Sequence, residues 1–249
     1  MSAAIDLISA SEPPPSEKEV LKHIIPGAES NPLWGLLANW HWMTVKYADI
    51  RQYRNAHWAG GKRPALAVFT SAAWQASGIA VEDYRARRIE ADSAGASANG
   101  AGQTVRCDLY FRLKETDYFC GAKRIGLPLN EPIAKGMSRI DAALTDACEA
   151  TESLALRPHE RALGVAFVTL QYRRHKSWSE QYLPAIRGAV VRWHEYLKQV
   201  AAEQFMAAGW FFPLHALESL QDARMFYPGC AVFIRDARPS RSGNRENCS

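Results

Sequence analysis

Cysteine is scarce in this sequence. The five present, Cys107, Cys120, Cys148, Cys230 and Cys248, are odd in number and form neither a C-x-x-C pair nor a Cys/His cluster at zinc-ligand spacing. That excludes a disulfide framework and a zinc-finger module, and it predicts reduced thiols in a cytoplasmic protein. Long apolar runs are missing as well. Nowhere do ~18 apolar residues follow one another without a charge, so no bilayer-spanning helix is expected. The N-terminus carries Asp6 where a secretory signal needs positive charge, and its apolar stretch breaks into Ser11, Glu12 and Pro13 to Pro15. The G-x-S-x-G elbow, the P-loop, G-x-G-x-x-G and H-E-x-x-H are all absent, which removes the signatures of serine hydrolases, nucleotide binders and zincins. Net charge is small too, since +4 over the whole chain does not by itself demand a polyanionic partner.

What the chain does have is core material. Hydrophobic residues make up 47%, enough to fold without covalent or metal staples. Residues 1–15 are small, polar and proline-rich, and residues 237–249 are rich in Arg, Ser, Asn and Gly. Neither end can offset its ordering entropy by burial. The expected organisation is a flexible N-terminal segment over 1–15, one α/β domain over 16–236, and a flexible basic tail over 237–249. Ala94 to Gln103 reads as a long loop inside that domain.

Asn31-Pro32 is a helix start, with Asn as N-cap and Pro at the first helical position. Leu33, Leu36, Leu37, Trp40, Met43, Thr44, Tyr47 and Ile50 then recur at helical spacing and predict a helix to about His57. Pro64 to Trp74 fits either helix or buried strand, and Gly78 ends it. Tyr84–Ala91 and Val105–Leu113 read as strands, the second placing Cys107, Leu109 and Phe111 on one face. Tyr118–Ile125 follows across a short turn, Lys114 to Asp117, as the antiparallel partner. Ile133, Met137, Ile140, Leu144, Ala147 and Leu154 trace a helical stripe. Gly164–Leu170 has the continuous apolar character of a strand covered on both faces. Tyr182 to Val200 is the clearest amphipathic helix, and Trp210–Leu214 and Phe226–Ile234 are closing strands, with Pro228-Gly229 as a turn or bulge. Strands alternating with helices predict an α/β fold, a central mixed β-sheet flanked by helices.

Asp108 lies on one predicted strand and Lys123 near the end of the next, in Arg106-Cys107-Asp108-Leu109 and Gly121-Ala122-Lys123-Arg124. This strand–hairpin–strand–helix–strand order over roughly residues 79–175 resembles the core of the PD-(D/E)XK nuclease superfamily, and a restriction-endonuclease-like core is what the resemblance implies. In that family an Asp and the acid of E-x-K hold a divalent cation while the Lys polarises the attacking water. The resemblance therefore implies Asp108 as a metal ligand for Mg²⁺ and Asp108 with Lys123 as catalytic residues. Phosphodiester hydrolysis needs such hard oxygen ligands and a nearby cation aimed at one phosphate. Gly121 stands where the family's second acid belongs, with Glu82, Glu90, Glu115 and Asp117 as the nearest alternative acids in sequence. The implied site is thus degenerate or inactive.

Lys123, Arg124, Arg173, Arg174 and Lys176 form local basic clusters that could meet nucleic-acid phosphates, although solvated loop and strand ends are the commoner reason for such clusters. His175 and His194 read as solvated or core histidines rather than as bases. Two functions follow as expectations: a nuclease-like protein that binds nucleic acid with little or no cleavage, or a non-catalytic α/β module for a protein partner unrelated to nucleases.

Overall fold

A computed structural model describes residues 20–25, 32–51, 57–87, 104–173, 182–214 and 225–237. The helix expected after Asn31-Pro32 runs over Trp34–Ile50 (α1), with Leu33 at the N-cap; Asn31 lies outside the described residues. Instead of reaching His57 as one helix, the chain resumes there as a single 3₁₀ turn, His57–Ala59. The undecided Ala-rich run is helical over Lys62–Ser77 (α2). Pro64 falls in its first turn, where the missing N–H has no intrahelical partner to lose. Gly78 ends it in the left-handed conformation (φ 75°) and donates its N–H to the Trp74 carbonyl.

The strands are Val20–Ile25 (β1), Ala80–Arg87 (β2), Thr104–Leu113 (β3), Thr116–Pro128 (β4), Glu160–Arg173 (β5), Ala207–Pro213 (β6) and Met225–Asp236 (β7). Two further helices are Ile133–Glu149 (α3) and Leu183–Gln204 (α4). β1 was not legible in the sequence, and β2 begins four residues before its expected start. All seven strands form one sheet in the order β1-β6-β7-β5-β4-β3-β2. Among the described residues only β4 and β5 pair in parallel, joined through α3; the other neighbours are antiparallel. A two-residue turn with Lys114 at φ 55° closes the β3–β4 hairpin. The expected α/β architecture of a mixed sheet flanked by helices is therefore present, with four α-helices on its two faces.

Period-two alternation on the central strands feeds two apolar layers. Val165 and Phe167 of β5 join Leu36, Trp40, Leu66 and Phe69 beneath α1 and α2. The intervening Ala166 and Val168 join Ile140, Leu144, Val190 and Trp193 beneath α3 and α4. Strand β5 is buried from Ala162 to Leu170, as its unbroken apolar run predicts. The expected irregularity at Pro228-Gly229 also appears, since Gly229 pairs with Leu170 beside a register shift in β5.

Helix α3 approaches the sheet more closely than side chains would permit. Gly121 of β4 and Gly164 of β5 sit directly opposite one another in the parallel ladder. A Cβ on Gly121 would run into the Ala147 carbonyl, and one on Gly164 would lie 2.8 Å from the Leu144 carbonyl and collide with Cys148 Sγ. The two glycines form a saddle into which the α3 backbone sinks. Gly121→Asp, which would restore the acid expected from the nuclease pattern, should therefore destabilise the fold by more than the ~1–3 kcal/mol typical of overpacking. Denaturant titration of the variant against the parent chain measures this; equal midpoints would refute the saddle.

Candidate functional site

The β3–β4 ladder runs from Leu113/Thr116 to Leu109/Cys120. Beyond that pair, at Asp108, a side chain takes over from the backbone. Asp108 Oδ2 accepts the Ala122 N–H at 2.7 Å, and Lys62, the first residue of α2, places its Nζ 2.6 Å from Oδ1. The irregularity extends to β2, where Asp83 adopts φ 54° and drops out of the pairing between Glu82/Leu109 and Tyr84/Cys107. One consequence corrects the sequence reading. Cys107 does not share a core with Leu109 and Phe111; it packs with Phe119, Ala162 and Leu154, because the left-handed Asp83 and the lost pairing at Asp108 break the alternation there.

Lys123 lies two residues from Gly121 and shares its side of β4, facing α3, where its Nζ is 3.7 Å from Asp146. Asp108 is held from the α2 side. The two residues that the nuclease pattern pairs are thus addressed by helices on opposite faces of the sheet. On the α2 side, the positions of β4 next to Asp108 are Ala122 and Arg124. Arg124 Nη2 donates to the Trp58 carbonyl at 3.3 Å, an oxygen that also accepts from Thr169 Oγ1 at 2.8 Å. Arg124 Nε is buried with no partner among the described residues.

Neither oxygen of Asp108 is spare, and neither Gly121 nor Ala122 supplies a second acid. These residues do not fit Mg²⁺, which wants several hard oxygens and gives up water reluctantly. Of the alternative acids, Glu82 is exposed on β2, Glu115 is at the exposed hairpin tip beside Arg112, and Glu90 is outside the described residues. The basic residues are dispersed as well. Arg173 is exposed at the end of β5, six residues beyond Phe167, the partner of Arg124, or ~20 Å along the strand. Arg174 and Lys176 lie outside the described residues.

A different group of donors converges at the opposite ends of β4 and β5. Asp117 and Glu160 are register partners in the parallel ladder, and both carboxylates are largely buried, at 13% and 14% exposure. His159 Nε2 lies 3.8 Å from Asp117 Oδ2 and 4.0 Å from Glu160 Oε1. The three donor atoms lie within 4.8 Å of one another, a set able to hold a metal ion. Sequence reasoning named Asp117 only as a spare acid near the hairpin. His159 and Glu160 were invisible to it because only the parallel register brings them beside Asp117.

The 3₁₀ turn that meets Arg124 has its own electrostatic signature. His57 is buried edge-on between the Tyr47 and Trp58 rings, and its Nδ1 has no partner among the described residues. Burial pushes its imidazole down to about 4. The folded value is below the unfolded one, ~6.5, so between the two the unfolded chain binds more protons. Its contribution to stability is complete above ~6.5 and is lost as pH falls toward 4. His57→Phe should flatten the decline in melting temperature between pH 7 and pH 5, whereas an unchanged slope would acquit His57. His41, likewise lowered to about 4 by burial and by Lys22, and His23 and His194, both lowered chiefly by burial, contribute to the remaining slope.

Set against protein-family models, curated proteins and solved structures, the chain matches none of them. Among the described residues, no helix is long and apolar enough to cross a membrane.

Proposed function

We propose that this is a PD-(D/E)XK nuclease-like protein with an inactive phosphodiesterase site, and that it binds nucleic acid without cutting it. The observation that carries this reading is the order α2–β2–β3–β4–α3–β5, with Asp108 on the middle strand of the meander and its carboxylate at the next strand. Inactivity follows from the occupants of that place. Lys62 neutralises Asp108, the α3 backbone fills the space above Gly121, and Lys123 faces Asp146 on the other side. A Lys–carboxylate pair beside Arg124 leaves the α2 side with an excess of positive charge, which suits phosphate contact better than hydrolysis. The four thiols among the described residues are buried and unbridged, which accords with a reducing compartment, and we place the protein in the cytoplasm.

A second reading is favoured by a specific feature of the same helices. Trp34 and Trp42 of α1 and Trp74 of α2 are exposed, Trp42 and Trp74 by more than half, and such aromatic area suits a protein partner. The alternative is therefore a non-catalytic interaction module.

Fluorescence anisotropy with single- and double-stranded DNA and RNA separates the two. Binding should need no metal and weaken with salt, with a log–log slope of about −2 if Arg63 and Arg124 each neutralise one phosphate, Lys62 being already paired with Asp108. Gel assays of the same samples with Mg²⁺ or Mn²⁺ should show no more cleavage than with chelator. Absence of binding at low salt favours the interaction module. Metal-dependent cleavage abolished by Asp108→Ala would overturn the claim of an inactive site.

A further inference from the structure

We propose that Asp117, His159 and Glu160 form a binding site for a divalent transition-metal ion of the zinc type, independent of Asp108 and of any nuclease ancestry. The argument starts from which atoms are already engaged. Asp117 Oδ1 accepts the Tyr110 hydroxyl at 2.8 Å, which leaves Oδ2 turned to His159. Glu160 Oε2 accepts the Arg157 backbone N–H at 2.8 Å, which leaves Oε1 turned to His159. Each carboxylate is thus oriented by a hydrogen bond on one oxygen and presents the other, the arrangement in which outer partners fix metal ligands.

The facing atoms do not satisfy one another. Separations of 3.8 and 4.0 Å from His159 Nε2 are too long for hydrogen bonds. A point equidistant from three atoms so spaced lies roughly 2.3–2.5 Å from each, and closing by a few tenths of an ångström reaches zinc–nitrogen and zinc–oxygen bond lengths of ~2.0–2.2 Å. Two largely buried carboxylates side by side also need a counter-charge. The side-chain cations nearest them are loosely placed, Arg112 Nε at 3.8 Å from Asp117 and Arg157 Nε at 4.0 Å from Glu160.

The donor set decides the class of ion. One imidazole with two carboxylates suits zinc and its neighbours, whereas Mg²⁺ favours oxygen ligands alone. Three protein ligands leave a fourth tetrahedral position open. Glu160 also lines a cavity of about 370 Å³ walled by Tyr84, Phe119 and Leu156, so the site borders space of small-molecule size.

Isothermal titration of the metal-stripped full chain with Zn²⁺, and separately with Mg²⁺, tests this. One equivalent of Zn²⁺ should bind, at least ~100-fold more tightly than Mg²⁺. His159→Ala, a substitution at a half-exposed side chain, should abolish that equivalent. Tyr110→Phe should weaken it by ~10-fold or more through loss of the Asp117 hydrogen bond. Circular dichroism of both variants verifies folding, and a Co²⁺ titration followed by visible absorption reports a nitrogen–oxygen environment without relying on heat. Retention of the same Zn²⁺ stoichiometry and affinity in His159→Ala, or equal affinity for Mg²⁺ in the parent chain, would overturn the proposal.

Discussion

The close seating of α3 on the paired glycines Gly121 and Gly164 is the constraint from which the centre of this molecule follows. A parallel connection between neighbouring strands needs a crossover, and here that crossover is a 17-residue helix returning over the strands it joins. Because its backbone descends to the glycine pair, the carbonyls of Leu144 and Ala147 and the Sγ of Cys148 lie where a Cβ on either glycine would sit. The other side of β4 is thereby left to α2 and the 3₁₀ turn, which gather Lys62, Asp108 and Arg124 around the end of the β3–β4 ladder.

The same seating orders the remote end of the crossover. After α3 the chain must re-enter the sheet beside the start of β4, and the register of that return sets Asp117 against Glu160 with His159 adjoining. Two sets of polar groups therefore meet β4, one at its middle beside Ala122 and one at its start beside Asp117. One is an ion pair that substitutes for a missing ladder bond, and the other is a trio of donors whose free atoms face each other.

Much of the architecture could be read from periodicity. The strands over Val105–Leu113, Tyr118–Ile125 and Gly164–Leu170 and the helices after Pro132 and Tyr182 are where their patterns put them, because burial on one or both faces leaves a strong signature. β1 escaped because Val20–Ile25 mixes Lys22 and His23 into a short edge strand beside prolines and charges. The shared face of Cys107 and Leu109 was misjudged because a break in a strand's alternation is a backbone event, and Asp83 gives no more than a weak hint of its left-handed turn. Gly121 could be seen as a missing acid, but not as a contact with Ala147, since helix-to-sheet distance is written in no single residue. The partners of Lys62 and His159 depend on residues 46 and 42 positions away in the chain, beyond the reach of local pattern.

The left-handed kink at Asp83 also bears on how the sheet ends. β2 is an outermost strand, and its exposed residues include Glu82, Asp83 and Arg85, with Asp83 paired to Arg106 at 2.7 Å. An incoming strand from another chain would meet a kinked rather than straight row of amides and carbonyls, flanked by charges that would lose their hydration. The geometry that places Asp108 thus discourages edge-to-edge growth, and with it the route by which open sheets recruit copies of themselves into aggregates.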